Sequence, residues 1–131
     1  MNRLLILALL SFLSIPVIAG EKAPLPAKLT AAKTAMLINE DASVKVFDAL
    51  YDQFKKWNRF RLTENKDEAD IVVLLSARQE VLAGLIPNYY LKISDAKDET
   101  PLWSDSCQEG LRVAYPAKKM VSTLRKRMDQ K

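Results

Sequence analysis

The sequence predicts an α/β (α+β) domain: one mixed sheet of about five strands, elements in the order β-α-β-β-β-β-α, with the helices packed on the sheet. Three observations carry this. Hydrophobic residues make up 49% of the 131 residues and charged residues 27%, the balance of an ordinary globular domain. One stretch, Val46 to Trp57, repeats apolar residues at three- and four-residue steps, the period of a helix. Several short runs alternate or stay continuously aliphatic over about five residues, as strands do.

The elements follow in order. Glu21 to Lys28 carries Pro24 and Pro26 among alanines and reads as an extended leader. Thr34 to Asn39 is the first strand, and Asp41 or Ser43 can cap the helix after it. In that helix Val46, Phe47, Leu50, Tyr51, Phe54 and Trp57 form one apolar stripe, with Asp48, Asp52, Lys55 and Lys56 opposite. Asn58 suits the left-handed residue that ends a helix. Arg59 to Thr63 alternates, with Phe60 and Leu62 inward. Ile71 to Leu75 is a continuous aliphatic run, expected of a strand buried on both faces. Strand, helix, strand predicts a right-handed start with parallel pairing. Tyr89 to Ser94 and Pro101 to Asp105 are hairpin partners across a charged turn. Gln108 to Tyr115 connects to a last helix with Pro116 in its first turn and Ala117, Met120, Val121, Leu124 and Met128 on its apolar face.

Ahead of this domain, Arg3 precedes an uncharged stretch from Leu4 to Ala19, the pattern of a signal peptide. Cleavage is expected after Ala19 or Gly20. The expected organisation is therefore a signal peptide over 1–19, a Pro/Ala-rich leader over 20–28 and a single domain over 29–131. The apolar stretch is shorter than the ~20 residues that span a bilayer, so no integral span is expected after cleavage. The protein is expected in the periplasm or secreted.

Composition removes whole classes of chemistry. There is no histidine, one cysteine (Cys107) and three glycines (Gly20, Gly84 and Gly110). Catalysis by Ser-His-Asp or Cys-His, histidine or cysteine-rich metal sites, an internal disulfide and a glycine-rich phosphate loop are excluded. Cys107 is expected to be buried, or exposed and unreactive, or paired between chains.

The helix ending Lys55-Lys56-Trp57-Asn58-Arg59-Phe60, the run Glu68-Ala69-Asp70-Ile71-Val72-Val73 and the triplet Pro101-Leu102-Trp103 occur in small exported bacterial α/β domains of unknown function. In element order the chain resembles the amino-terminal domain of TolB proteins and the globular domain of LpoB-type envelope lipoproteins. The resemblance spans roughly Leu29 to Met128. It implies a fold and a compartment, and carries over neither a partner nor catalytic residues. The chain departs from those lipoproteins in having no cysteine near Ala19, and no propeller like that of TolB is expected beside the domain.

No constellation of side chains presents itself as catalytic, cofactor-binding or metal-ligating, and no cofactor is expected. Ser94-Asp95-Ala96-Lys97 matches the S-x-x-K pattern of serine acyl-enzymes, but in a hairpin turn rather than at a helix start. Asp95, Asp98 and Glu99 could offer hard oxygens to calcium, yet Lys97 stands among them and the spacing is irregular. Asp67, Glu68 and Asp70 would need a shared pocket and shifted pKa values to act as acid and base. Asp70 reads better as the polar residue that sets where the central strand begins. Arg59, Arg61 and Lys92 with Tyr89 and Tyr90 need no nucleic-acid partner to explain them, and none is expected.

Two surfaces are candidates for binding. Val81, Leu82, Leu85 and Ile86 crowd a Gly/Pro-interrupted segment and are either an interaction surface or cover for the sheet. Lys118, Lys119, Arg125, Lys126 and Arg127 lie in the last segment, where Arg112 to Lys131 carries seven basic residues and one acid. They are candidate contacts to an anionic surface, or else the solvated side of a docked helix. The function expected is that of a small exported binding domain of the cell envelope with an envelope protein as partner. A small carboxylate-dependent hydrolase is the alternative.

Overall fold

The computed structural model describes residues 24–79 and 86–130. The signal-peptide reading, and Val81, Leu82 and Leu85, lie outside the described residues. A short helical turn, α1 (Ala27–Thr30), opens the fold where the sequence suggested only extended leader. Leu29 is the reason: it is fully buried in the core and fixes this turn against it.

Strand β1 (Thr34–Asn39) follows, then helix α2 (Val44–Trp57). Ser43 caps α2, its hydroxyl accepting the N–H of Val46 at 3.3 Å. Asn58 ends the helix in the left-handed region at φ 56°, as its side chain allows. Val46, Leu50 and Phe54 are buried and Phe47 and Trp57 pack at the margin, but Tyr51 stays 42% exposed. The stripe is broader than the surface available to cover it. Phe54, Trp57 and Phe60 close the foot of the helix as an aromatic cluster, with Trp57 edge-on to Phe60 at 5.5 Å.

The alternating run after α2 contributes only a two-residue strand, β2 (Arg61–Leu62). A single 3₁₀ turn, Lys66–Glu68, leads to β3 (Ile71–Gln79), β4 (Pro87–Asp95), β5 (Pro101–Gln108) and helix α3 (Tyr115–Asp129). The sheet order is β2-β1-β3-β4-β5. β1 is parallel to both β2 and β3, whereas β3, β4 and β5 form an antiparallel meander. The predicted mixed sheet of five strands is therefore present, and apart from the added turn α1 and the 3₁₀ turn the elements follow the predicted order.

Both long helices pack on one face of the sheet. Ala35, Ile71, Val73, Leu75, Tyr89, Leu91, Ile93 and Cys107 meet Val46, Leu50 and Phe54 of α2 and Ala117, Met120, Val121 and Leu124 of α3. On the opposite face Ile38, Val72, Leu74, Lys92 and Ser94 line a shallow groove of about 330 Å³, with Lys66 and Glu99 paired at its rim (3.6 Å). This corrects the expectation for β3. Its second face is half-buried rather than buried, because both helices lie on the other side.

Candidate interaction surface

β1, β3 and β5 run the same way, so their carboxy ends, the start of β4 and the starts of α2 and α3 share one pole of the domain. Local bonds fix this pole. The Asn39 side chain accepts the N–H of Ala42 and donates to the Ala42 carbonyl, both at 2.9 Å, and Asp41 accepts the N–H of Ala77 at 2.8 Å. Tyr89 is buried, its hydroxyl near Ser43 and Glu109, and burial raises its pKa. The Glu109 N–H donates to the Pro87 carbonyl at 3.0 Å, which places Ile86 beside the loop that leaves β5.

That loop turns tightly onto α3. The Tyr115 N–H donates to the Arg112 carbonyl, and the Tyr115 ring lies over Gly110 so closely that a Cβ there would come within 2.7 Å of it. Lys119 sits over the same ring, its Nζ 5.9 Å from the centroid. Gly110, Leu111, Arg112 and Tyr115 line an apolar cleft of about 280 Å³. Six large hydrophobic residues are exposed among the described residues: Val44, Tyr51, Ile86, Leu111, Val113 and Tyr115. All but Tyr51 belong to this pole.

Ile86, the one member of the predicted apolar surface within the described residues, is therefore exposed there. The basic residues predicted on the last helix do not form one cluster. Lys118 and Lys119 lie in the first turn of α3 at this pole, whereas Arg125, Lys126 and Arg127 lie about 10 Å further along the axis. The apolar face of α3 is docked on the sheet, with Met128 at its margin. Sequence reasoning missed Leu111 and Val113. They fall in a segment with no periodicity, and their one available signal was two aliphatic residues alternating with Arg112 directly after a glycine.

The opposite pole holds a polar cleft of about 420 Å³, lined by Lys28, Ala31, Ala32, Asp70, Asp95, Lys97 and Asp98. Its acids are tied down. Asp70 accepts backbone N–H groups of Lys33 and Thr34, which hold its carboxyl below the usual range. Lys28 donates to Asp98 at 2.7 Å, pushing the Asp98 carboxyl well below the usual range and the Lys28 ammonium up. Asp95 pairs with the same lysine at 3.6 Å. A general acid needs a raised pKa, and the two shifted carboxylates here move the other way. Ser94 lies in the last residues of β4 and Lys97 in the turn after it, so no helix brings the two onto one face. No metal-like cluster of three or more acid, cysteine or histidine residues occurs among the described residues.

The residues weighed for nucleic acid are not assembled. Tyr89 faces the core, Tyr90 the open side of the sheet, and the Arg59 guanidinium donates to the Ala32 and Thr30 carbonyls. Cys107 is buried on the core face, and burial raises its thiol pKa. No helix among the described residues is long and apolar enough to cross a membrane.

No protein-family model matches the chain, and no curated protein matches it in sequence. Solved structures do match in fold. TolB from Acinetobacter baumannii superposes with a TM-score of 0.56 at 9% identity, over 83% of this chain and 29% of that one. PelC from Paraburkholderia phytofirmans, crystallised as a dodecamer, gives 0.50 at 10% identity over 84% of this chain and 96% of that one. A second crystal form of PelC gives 0.50 at 11% identity, over 83% and 95%. The chain thus spans less than a third of the TolB chain and nearly all of PelC. The expected likeness in fold to TolB is present.

Proposed function

We propose that this protein is an exported domain of the bacterial cell envelope that works by binding rather than by catalysis. The observation that carries the reading is the gathering of exposed Val44, Ile86, Leu111, Val113 and Tyr115 at one pole of a domain whose core is otherwise closed. Exposed apolar side chains cost solubility, and their concentration in one place is the mark of a contact surface. Arg3 and the apolar run from Leu4 to Ala19 support export, and the TolB-like fold fits the envelope compartment that this resemblance implies. The hydrolase alternative has no support from the polar cleft, where Asp70 and Asp98 are held charged by hydrogen bonds.

Two measurements test this. Intact mass of the protein from a bacterial envelope fraction should give a chain starting at Gly20 or Glu21; full-length cytoplasmic material would sink the export reading. A photo-crosslinking residue introduced at Leu111 should give adducts with envelope components, while the same residue at exposed Lys55 should not. Equal labelling from both positions would remove the pole as the binding surface.

A further inference from the structure

The carboxy pole of the sheet carries more than apolar side chains. Lys45 follows Val44, Arg78 is the next-to-last residue of β3 and stacks on Tyr90 (5.6 Å), Arg112 stands between Leu111 and Val113, and Lys118 and Lys119 follow Tyr115. Both long helices also start here, so the positive ends of their dipoles face outward on this side. The first turn of α3 has no side-chain cap at Ala114. Among the described residues three acids share the pole. Glu40 and Asp41, which accepts the Ala77 N–H, are exposed and Glu109 is half-buried near Tyr89, so the five cations Lys45, Arg78, Arg112, Lys118 and Lys119 outnumber them.

We infer that this pole is a membrane-docking tip: Leu111 and Val113, with Ile86 beside them, enter the interface of an anionic phospholipid bilayer while Arg112, Lys118 and Lys119 meet its headgroups. Charge complementarity selects this occupant. Exposed aliphatic residues ringed by cations suit a surface that is apolar inside and anionic at its rim. A second copy docking tip to tip would bring the same cations against each other, and a neutral apolar partner would leave them unused. The apolar face of α3 is committed to the core, so insertion falls to the loop, and the helix contributes charge alone. The assignment rests on the envelope reading only for which membrane the protein meets; vesicle binding is a property of the chain itself.

The test uses the full chain carrying Leu111→Trp, mixed with phosphatidylcholine vesicles with and without phosphatidylglycerol. Trp57 and Trp103 pack against the core and supply a constant background. The added tryptophan should shift to the blue, and be quenched by brominated acyl chains, with phosphatidylglycerol vesicles at low ionic strength. Vesicle partition should fall by about tenfold on Leu111→Ser or on the pair Arg112→Gln and Lys119→Gln, with thermal stability unchanged. An added tryptophan that stays in water overturns the proposal, and so does equal binding to neutral vesicles. A concentration-dependent dimer abolished by Leu111→Ser, without vesicle binding, would give the tip to a second copy instead. A cytoplasmic, uncleaved chain that still binds phosphatidylglycerol would fail the envelope reading and leave the tip intact.

Discussion

Thr34 and Asp70 are hydrogen-bonded to each other in both directions. The Thr34 N–H donates to Asp70 Oδ2 at 3.2 Å, and the Asp70 N–H donates to Thr34 Oγ1 at 2.9 Å and to the Thr34 carbonyl at 3.1 Å. The Thr34 hydroxyl donates to the Glu68 carbonyl at 2.8 Å, and Lys33 adds a second N–H to the Asp70 carboxylate at 2.8 Å. Parallel strands have no hairpin to set their register, and this clasp starts β1 and β3 level with each other.

Asp70→Ala should therefore cost about 1 kcal/mol at neutral pH, since it leaves two backbone donors to water. Asp70→Asn, which keeps an acceptor, should cost less. Because folding lowers the Asp70 pKa, its contribution is present above the ordinary carboxylate pKa and is lost as pH falls through the lowered value. Urea denaturation of wild type and Asp70→Ala should show a constant gap above about pH 5 that closes in stronger acid.

The signals that made β4, α2 and α3 legible were periodic: alternation over Tyr89 to Ser94 for the strand and three-to-four spacing for the helices. Asp70 was legible as the residue that sets the central strand, because a lone acid before an aliphatic run has few other uses. The two-sided burial of β3 was not. A run such as Ile71 to Leu75 looks the same whether one face or two are covered, and the deciding fact is that both long helices lie on one side. Leu111 and Val113 were illegible for a related reason. An exposed aliphatic residue in a loop has no partner in the sequence to announce it, and its meaning comes from the pole it shares with Ile86 and Val44.

Leu124 and Lys126 separate the two roles of α3. Leu124 is fully buried and Lys126 exposed. Leu124→Ala should lower stability by about 2–5 kcal/mol through the cavity it leaves, while Lys126→Gln should stay within about 0.5 kcal/mol of wild type. Thermal or chemical denaturation decides it. A small effect from Leu124→Ala would mean that the helix is not held by its apolar face.

Cys107 should be inert in the native protein. Its thiol is buried and its pKa raised by that burial, which outweighs the lowering by nearby Lys119. Little thiolate forms near neutral pH, so alkylation at pH 8 should run more than about tenfold slower than in denaturant. Native labelling at the unfolded rate would show that the β5 end opens freely.

β5 is the long edge of the sheet, and it is guarded. It begins with Pro101, its pairing with β4 slips beside Ile93 and Ser94, and Asp105 lies opposite Leu91 on the core-facing side. A foreign strand laid along this edge would meet a missing donor, a kink and a carboxylate it must desolvate. The domain can therefore be crowded at high concentration, apolar tip and all, without its sheets joining into fibrils. Asp105→Val removes the carboxylate and should raise thioflavin-positive aggregation on prolonged incubation, while Lys55→Val on the exposed side of α2 should not.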